Sequence, residues 1–415
     1  MSKAAIDSDG SRGMKAGWKT KTLGAVCEFQ RGLTYAKSDE VDVSENIVLR
    51  ATNIDLSTNL LDFSELKYIS EKVIVPEGKK LKAGSLMICT ASGSKSHLGK
   101  VAFIDEDYGY AFGGFMGMVT PLPELYPKYL FHRMTSPDYK DFIASLSDGT
   151  NINNLKFDEL QRFQIPVPPL PEQQRIVTLL DEAFDGIATA KANAEKNLLN
   201  ARAIFESHLQ SVFTGDGENW INSVIGKCIR FIDYRGKTPV KTSSGLKLIT
   251  AKNVKMGYLK NDPEEFVAPE SYDKWMTRGI PKCGDVLFTT EAPLANVAQL
   301  DTGEKVVFAQ RIIVMQADPA KLDSTFLKYM LLSAPVQQRI HEKGTGATVQ
   351  GIKASLLKLI EISFPASVEE QRKTVIQLDD LRDETQRLEA IYQQKLTLLD
   401  DLKKSLLHRA FNGDL

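Results

Sequence analysis

Pro168-Pro169-Leu170-Pro171-Glu172-Gln173-Gln174-Arg175 is the stretch that decides the architecture, because its last four residues return near the far end of the chain as Glu369-Glu370-Gln371-Arg372. Each copy follows a proline-bearing apolar stretch, 165–171 and then 362–365. Each opens a long heptad-like run that stops at Phe-x-Gly, in Phe213-Thr214-Gly215 and Phe411-Asn412-Gly413. Further back, Asn53 matches Asn253, Lys82-Ala83-Gly84 matches Lys282-Cys283-Gly284, Thr90 matches Thr290, and Lys128-Tyr129 matches Lys328-Tyr329. A period of roughly 200 residues is far too long for a solenoid and marks a duplicated domain. The repeating unit is a globular module followed by a long helix.

Both helices carry an apolar stripe. On the first, Ile176, Leu180, Ala183, Ile187, Ala190 and Ala194 step by four and three, and after one extra step of four the stripe resumes at Leu198, Ala201, Phe205 and Leu209. On the second, Leu378, Leu381, Leu388, Tyr392, Leu396, Leu399 and Leu406 draw a similar seam. Pro171 suits a first-turn position, Ser367 with Glu370 has capping-box spacing, and Gly215 and Gly413 suit the stop. Each helix is expected to run about 40 residues, or about 60 Å. Antiparallel pairing would hide both seams and make the helices a spacer between the modules; the plainer arrangement is two amphipathic helices, each on its own domain.

Within the modules, β-branched and apolar runs at 47–49, 86–89, 101–104, 247–250, 286–289 and 306–308 alternate with turn residues, and helical patches fall at 127–134 and 325–332. The fold class is therefore α+β: two globular domains with curled, mostly antiparallel sheet, and a pair of long antiparallel coiled-coil helices. The expected divisions are a disordered tail over 1–13, a first module over 14–168, a helix over 169–215, a second module over 216–366 and a helix over 367–415.

Composition narrows the function. The chain has 415 residues, a hydrophobic content of 42%, and 52 basic against 53 acidic residues for a formal net charge of −1. No whole-chain positive field exists, so any nucleic-acid binding is local or shared with a more basic partner. No apolar run approaches a membrane span and no signal-peptide core stands at the N-terminus, which makes the cytoplasm the expected compartment. Cys27, Cys89, Cys228 and Cys283 lie far apart without a Cys-x-x-Cys pair, so they are expected to be reduced, buried and free of zinc.

Catalytic signatures are missing from the sequence. Gly93 to Lys100 imitates a phosphate loop, but its glycines stand one residue too far apart and Val101 occupies the Ser/Thr position. There is no Asn-Pro-Pro-Tyr or Asp-Pro-Pro-Tyr of the amino-methyltransferases and no glycine-rich cofactor fingerprint. His97, His132, His208, His341 and His408 show no metal spacing, and His208 and His408 sit late in the helices, where a charge near the end explains them. The chain is expected to hold no cofactor or metal and to catalyse nothing alone.

Polar and basic clusters with Gly-rich flanks remain, at matching places in each half. In the first module the candidate DNA-contacting residues are Arg31 and Lys37, Arg50 and Asn53, Ser94, Lys95 and Lys100, and Asn151, Asn153, Asn154 and Lys156. In the second they are Arg235 and Lys237, Lys252, Asn253 and Lys255, Thr290 and Glu291, and Thr348, Gln350 and Lys353. Arg reads guanine, Asn and Gln read adenine, Glu accepts from cytosine, and Lys, Ser and Thr hold phosphates, so the inventory suits major-groove recognition. Composition by itself favours solvated loops with turn-forming Asn and Gly. Duplication at matching positions pulls the other way, because two linked half-site readers multiply their specificity.

The order of variable module, Pro168-Pro169-Leu170-Pro171-Glu172-Gln173-Gln174-Arg175 helix, second variable module and Glu369-Glu370-Gln371-Arg372 helix resembles the specificity subunit of type I restriction-modification systems, over the chain from about Trp18 to Leu415. Gly149-Thr150-Asn151-Ile152-Asn153-Asn154-Leu155-Lys156 likewise resembles the end of the family's target recognition domains. The second copy is close at Thr345 to Lys353 but has Ala366-Ser367-Val368 where the first has Pro-Leu-Pro. The resemblance implies that each recognition domain reads one half of a split double-stranded DNA target and that the paired helices set the gap. It also implies that two modification subunits carrying S-adenosylmethionine dock on the helices and that a motor-nuclease subunit completes the restriction complex. A structural adaptor presenting two protein-binding modules is the alternative from another class.

Overall fold

A computed structural model describes residues 17–93, 97–147, 154–214, 219–234, 238–309, 311–346 and 348–415. The expected tail over 1–13 and the helix stop at Gly215 lie outside these residues. The chain divides into two units: the part up to Ala194 joined by Gln394–Leu415, and Glu195–Gln393.

Each unit repeats one plan. In the first, the strand Lys19–Thr22 pairs antiparallel with Gln164–Val167 and so joins the start of the module to its end. A four-stranded antiparallel sheet orders Cys27–Arg31, Met116–Pro121, Leu86–Cys89 and Val101–Phe103. A smaller mixed sheet contains Asn46–Leu49, which runs parallel to Ala111–Phe112. The helices Pro127–Arg133 and Pro137–Ser147 follow. The second unit has the same parts: Trp220–Val224 with Glu361–Pro365, a sheet of Ile229–Asp233, Ile312–Ala317, Val286–Thr290 and Leu294–Gln299, and Leu246–Ile249 parallel to Val307–Phe308. Every expected strand and both helical patches are present within a residue or two. The fully buried strands Leu86–Cys89 and Val286–Thr290 carry the apolar run that a strand covered on both faces needs.

The two long helices span Leu170–Thr214 and Val368–Asn412. In the first unit, Lys191 pairs with Asp400 at 2.7 Å and Arg175 donates to the Leu415 carbonyl at 2.7 Å, so residue numbers rise along one helix as they fall along the other. Leu407, Ala410 and Phe411 join the core built from Tyr129, Ile176 and Leu180, with the Phe411 ring edge-on to Tyr129 at 5.3 Å. In the second unit Arg202 meets Glu389 at 2.9 Å, and Leu209 shares a core with Val375 and Leu378. Pairing within each unit is therefore antiparallel. The expected stripe on the first helix is buried or half-buried throughout. On the second helix every expected seam residue, Leu406 included, is also buried or half-buried, and the seam gains two buried members: Thr385, its hydroxyl hidden by donation to the Leu381 carbonyl, and Leu407.

The repeated helix start also changes register. Gln173 is fully buried: its Oε1 accepts the Tyr126 N–H at 2.7 Å, and its Nε2 donates to the carbonyls of Glu124 at 2.9 Å and Pro168 at 2.8 Å. Gln371 does the same with the Asp323 N–H at 2.8 Å and the carbonyls of Lys321 at 2.9 Å and Pro365 at 2.8 Å. Matching letters pairs Gln371 with Gln174, which is exposed; the structural counterpart is Gln173. The glutamine lies five residues beyond the proline in the first copy and six in the second, so the second linker is one residue longer.

Cys27, Cys89 and Cys228 are buried, and burial pushes the Cys27 thiol up to about 12; Cys283, expected to be buried, is exposed. Among the described residues no helix is long and apolar enough to cross a membrane, and no group of three or more His, Cys, Asp or Glu side chains forms a metal site.

Candidate nucleic-acid interface

In the first unit, four connections meet beyond one end of the antiparallel sheet, because Arg31 faces Gly117, Cys89 faces Met116 and Ile88 faces Val101 there. Their hub is Phe115, whose carbonyl accepts the Thr90 N–H at 2.9 Å, the Thr90 hydroxyl at 3.0 Å and the Ala91 N–H at 3.1 Å. The Leu155 N–H in turn donates to the Thr90 carbonyl at 2.6 Å, which brings Asn154 and Lys156 to the same place. The parallel strands Asn46–Leu49 and Ala111–Phe112 run to this end too, the Gly113 N–H donating to the Leu49 carbonyl at 2.9 Å, and so deliver Arg50. Gly32 lies against the next turn so closely that a Cβ there would stand 1.9 Å from the Gly113 carbonyl oxygen. Arg31, Asn154 and Lys156 are exposed; the Arg31 guanidinium lies 5.5 Å from the Phe157 ring centre, and the Phe115 ring is 74% exposed.

The second unit builds the same device. The Arg311 carbonyl accepts the Thr290 N–H at 2.9 Å and the Thr290 hydroxyl at 3.3 Å, and the Ile352 N–H donates to the Thr290 carbonyl at 2.9 Å. Glu291 bridges to Gly351, and Thr345 and Gly351 exchange backbone bonds of 2.8 and 2.9 Å. Gln350 is turned onto His341, with Nε2 2.8 Å from its carbonyl and Oε1 3.2 Å from Nδ1. Lys252, Thr348 and Lys353 are exposed, and Glu291 forms an ion pair with Arg311.

Several expected DNA contacts are corrected, because their polar atoms are spent inside the fold. Asn53 is buried; its Oδ1 accepts the Arg50 N–H at 2.8 Å and its Nδ2 donates to the Asp62 and Glu65 carbonyls, both at 2.8 Å. Asn253 accepts the Thr250 N–H and hydroxyl, both at 2.9 Å, and donates to the carbonyls of Lys260 and Pro263 at 3.0 and 2.9 Å. These asparagines hold loops closed: both N–H bonds of each amide are already donated inside the fold, so neither can make the donor-and-acceptor pair that adenine requires. Lys100 is buried, with Nζ 3.1 Å from the Ile54 carbonyl and 3.0 Å from His97 Nδ1, and burial lowers its pKa; it is no hand for phosphates. Thr290 is buried and clamps Arg311.

Other expected residues sit elsewhere. Lys37 is exposed in the short turn Lys37–Asp39, and Lys255 is half-buried in the turn closed by Val254 and Leu259. Arg50, whose backbone does reach the cluster, is half-buried, with its side chain beside Tyr35 and Glu40, whose titration it influences. Ser94, Lys95, Asn151, Asn153, Arg235 and Lys237 lie outside the described residues. Phe115 and Arg311 were not singled out from the sequence. The Gly113-Gly114-Phe115 run was a usable signal for the first, and Arg311 had none.

A duplicated α+β module, each copy carrying a polar loop cluster at one end of its central sheet and closed by long-helix segments, defines a class of tandem-module protein. The type I restriction modification DNA specificity domain matches residues 15–200 and 235–398, and the chain belongs to this family of DNA target-recognition subunits. It is 25% identical over 424 residues to the type I restriction enzyme StySPI specificity subunit of Salmonella potsdam, across 96% of this chain and 89% of the relative. It is also 25% identical over 420 residues to the EcoKI specificity subunit of Escherichia coli strain K12, with the same coverage. Among solved structures, the HsdS subunit from Thermoanaerobacter tengcongensis has a TM-score of 0.66 at 18% identity, covering 98% of this chain and 99% of that one. A chain from work on complex assembly and conformational transition of the type I R-M system has a TM-score of 0.78 at 18% identity, covering 97% and 100%. At such identity these two likenesses concern the fold.

Proposed function

We propose that the chain is the non-catalytic subunit that gives a type I restriction-modification complex its target, with recognition modules over 14–168 and 216–366 each reading one half of a split DNA sequence. The observation that carries this is the duplicated loop cluster: Thr90 and Thr290 clamp Phe115 and Arg311 in the same way, while the side chains displayed around them differ. Two copies of one scaffold bearing different side chains are what two different half-targets require. The helices over 169–215 and 367–415 set the spacing and dock two modification subunits, which bring S-adenosylmethionine, while the restriction subunits add cleavage. With a formal net charge of −1 the chain lacks the field to hold DNA strongly by itself, so tight binding belongs to the assembled complex in the cytoplasm.

Replacing 219–363 with the corresponding module of a relative, followed by genome-wide mapping of methylated adenines, tests the proposal. One half of the methylated target should change, with the other half unaltered. Alteration of both halves would rule out independent reading. An assembled complex that binds no DNA would favour a purely structural adaptor.

A further inference from the structure

Arg311 stands where the chain crosses the end of the second unit's central sheet, just before the strand Ile312–Ala317. Three features set it apart. Its backbone has φ of +78°, a left-handed conformation that side-chain-bearing residues rarely adopt, and its carbonyl is held by the Thr290 clamp. Its side chain is 44% exposed, and its Nε lies 3.1 Å from Glu291 Oε1. Among the described residues its two terminal nitrogens meet no acceptor. The guanidinium is thus paired with Glu291 on its Nε side and partly exposed, which leaves its distal fork, two nitrogens with parallel N–H bonds, available to a ligand.

That fork matches two kinds of acceptor on duplex DNA: a phosphate, or the O6 and N7 atoms of guanine in the major groove. Glu291 decides between them. A carboxylate beside the guanidinium repels a phosphate but sits comfortably near the uncharged edge of a base pair, while it fixes the fork's direction. The first unit puts Phe115 at the same point of the same clamp, and a phenyl ring donates no hydrogen bond. The two half-targets are therefore read by different chemistry at this position.

We propose that Arg311 is a specificity-determining residue of the second module, reading one guanine of its half-target through the distal fork, with Glu291 as the positioning residue; this rests on the modules being half-target readers. The test uses the full chain assembled with its modification subunits, after methylation mapping and the module replacement have shown which half-target belongs to the second module. Binding is measured to duplexes in which each guanine of that half is replaced in turn by 7-deazaguanine, which lacks the N7 acceptor. One replacement should weaken the wild-type complex by about tenfold and cause no further loss in Arg311→Ala, whose methylated sites should accept other bases at that position alone. Arg311→Lys, which keeps the charge without the fork, should also lose the guanine preference. Glu291→Ala should reduce that preference without altering the salt dependence of binding, since it removes no phosphate contact. Uniform weakening of all duplexes by Arg311→Ala, with the guanine preference intact, would assign the residue to phosphate and overturn the proposal. So would unchanged discrimination, or a second half-target without guanine. A wild-type complex with no split target would remove the half-target reading and this proposal with it, whereas a split target read normally by Arg311→Ala overturns the role of Arg311 alone.

Discussion

In the first unit Asp181 serves both Lys128, at 2.9 Å, and His132, at 2.8 Å; in the second, Asp379 is taken by the Tyr329 hydroxyl and by Arg382. Lys328 is left buried, its ammonium 4.2 Å from the Tyr329 ring centre, and among the described residues no carboxylate stands within ion-pair distance of it. The glutamines at the helix starts show the opposite pattern, since Gln173 and Gln371 make the same three kinds of bond to the same kinds of partner. Duplication has thus kept the hydrogen bonds that join helix to module and let the surrounding charges drift. The difference follows from burial. A fully buried amide has no water to fall back on, whereas the carboxylates Asp181 and Asp379 are each more than a third exposed and can exchange partners, and the buried Lys328 bears the cost of that exchange.

The sharpest way to break this comparison is at the glutamines. Gln173→Ala and Gln371→Ala each strand one buried N–H and two carbonyls, and each should cost about 3 kcal/mol in chemical denaturation. Gln174→Ala, on the exposed residue that letter-matching selects, should stay within about 0.5 kcal/mol. Equal losses at Gln173 and Gln174 would refute the corrected register.

The lysines should respond in opposite directions. Burial first, and then the nearby Arg382, bring the Lys328 pKa down to about 8 from an unperturbed 10.5. Below about pH 8 the residue is charged in both folded and unfolded chains and the folded state bears the penalty; as pH rises from about 8 toward 10.5, the folded chain sheds its proton first and stability increases. Lys328→Met should therefore stabilise the protein at pH 7 by on the order of 1 kcal/mol and lose that alkaline rise. Lys128→Met, which gives up a partner, should destabilise slightly, by about 0.5 kcal/mol. Thermal melts at pH 7 and 10 separate the two.

Asp181 should show the smallest effect. Its carboxyl titrates below its usual value of 3.8, first through the His132 hydrogen bond and then through Lys128. With a folded value lower than the unfolded one, its contribution is complete above pH 3.8 and disappears as pH falls through the folded value. Asp181→Ala should lower stability modestly at neutral pH, and the deficit should shrink in acid. A deficit that persists unchanged in strong acid would show that the loss is one of packing.

The strands at Leu86–Cys89 and Val286–Thr290, the helical stripes and the duplication were all legible in the residue order, because each is written in local periodicity or in letters that repeat. The candidate site was legible only in part. Arg31, Asn154 and Lys156 do come together at one end of a sheet, yet Asn53, Asn253, Lys100 and Thr290, chosen by side-chain type, turn inward. A side chain's type says what it can bond to and not whether those bonds are already made. Thr385 escaped for a related reason: a threonine reads as polar until its hydroxyl is satisfied by its own helix.

The sequence by itself determined that this protein is a module and a long helix made twice, since apolar spacing and proline stops act over a few residues. Tertiary structure alone decided which residues face outward at the loop clusters and where the helix starts lock. Those outcomes depend on bonds between distant positions: Phe115 to Thr90, Arg311 to Thr290, and Gln173 to a backbone N–H 47 residues away. Burial then makes each such bond costly to lose, and that cost fixes which side chains remain free for a ligand.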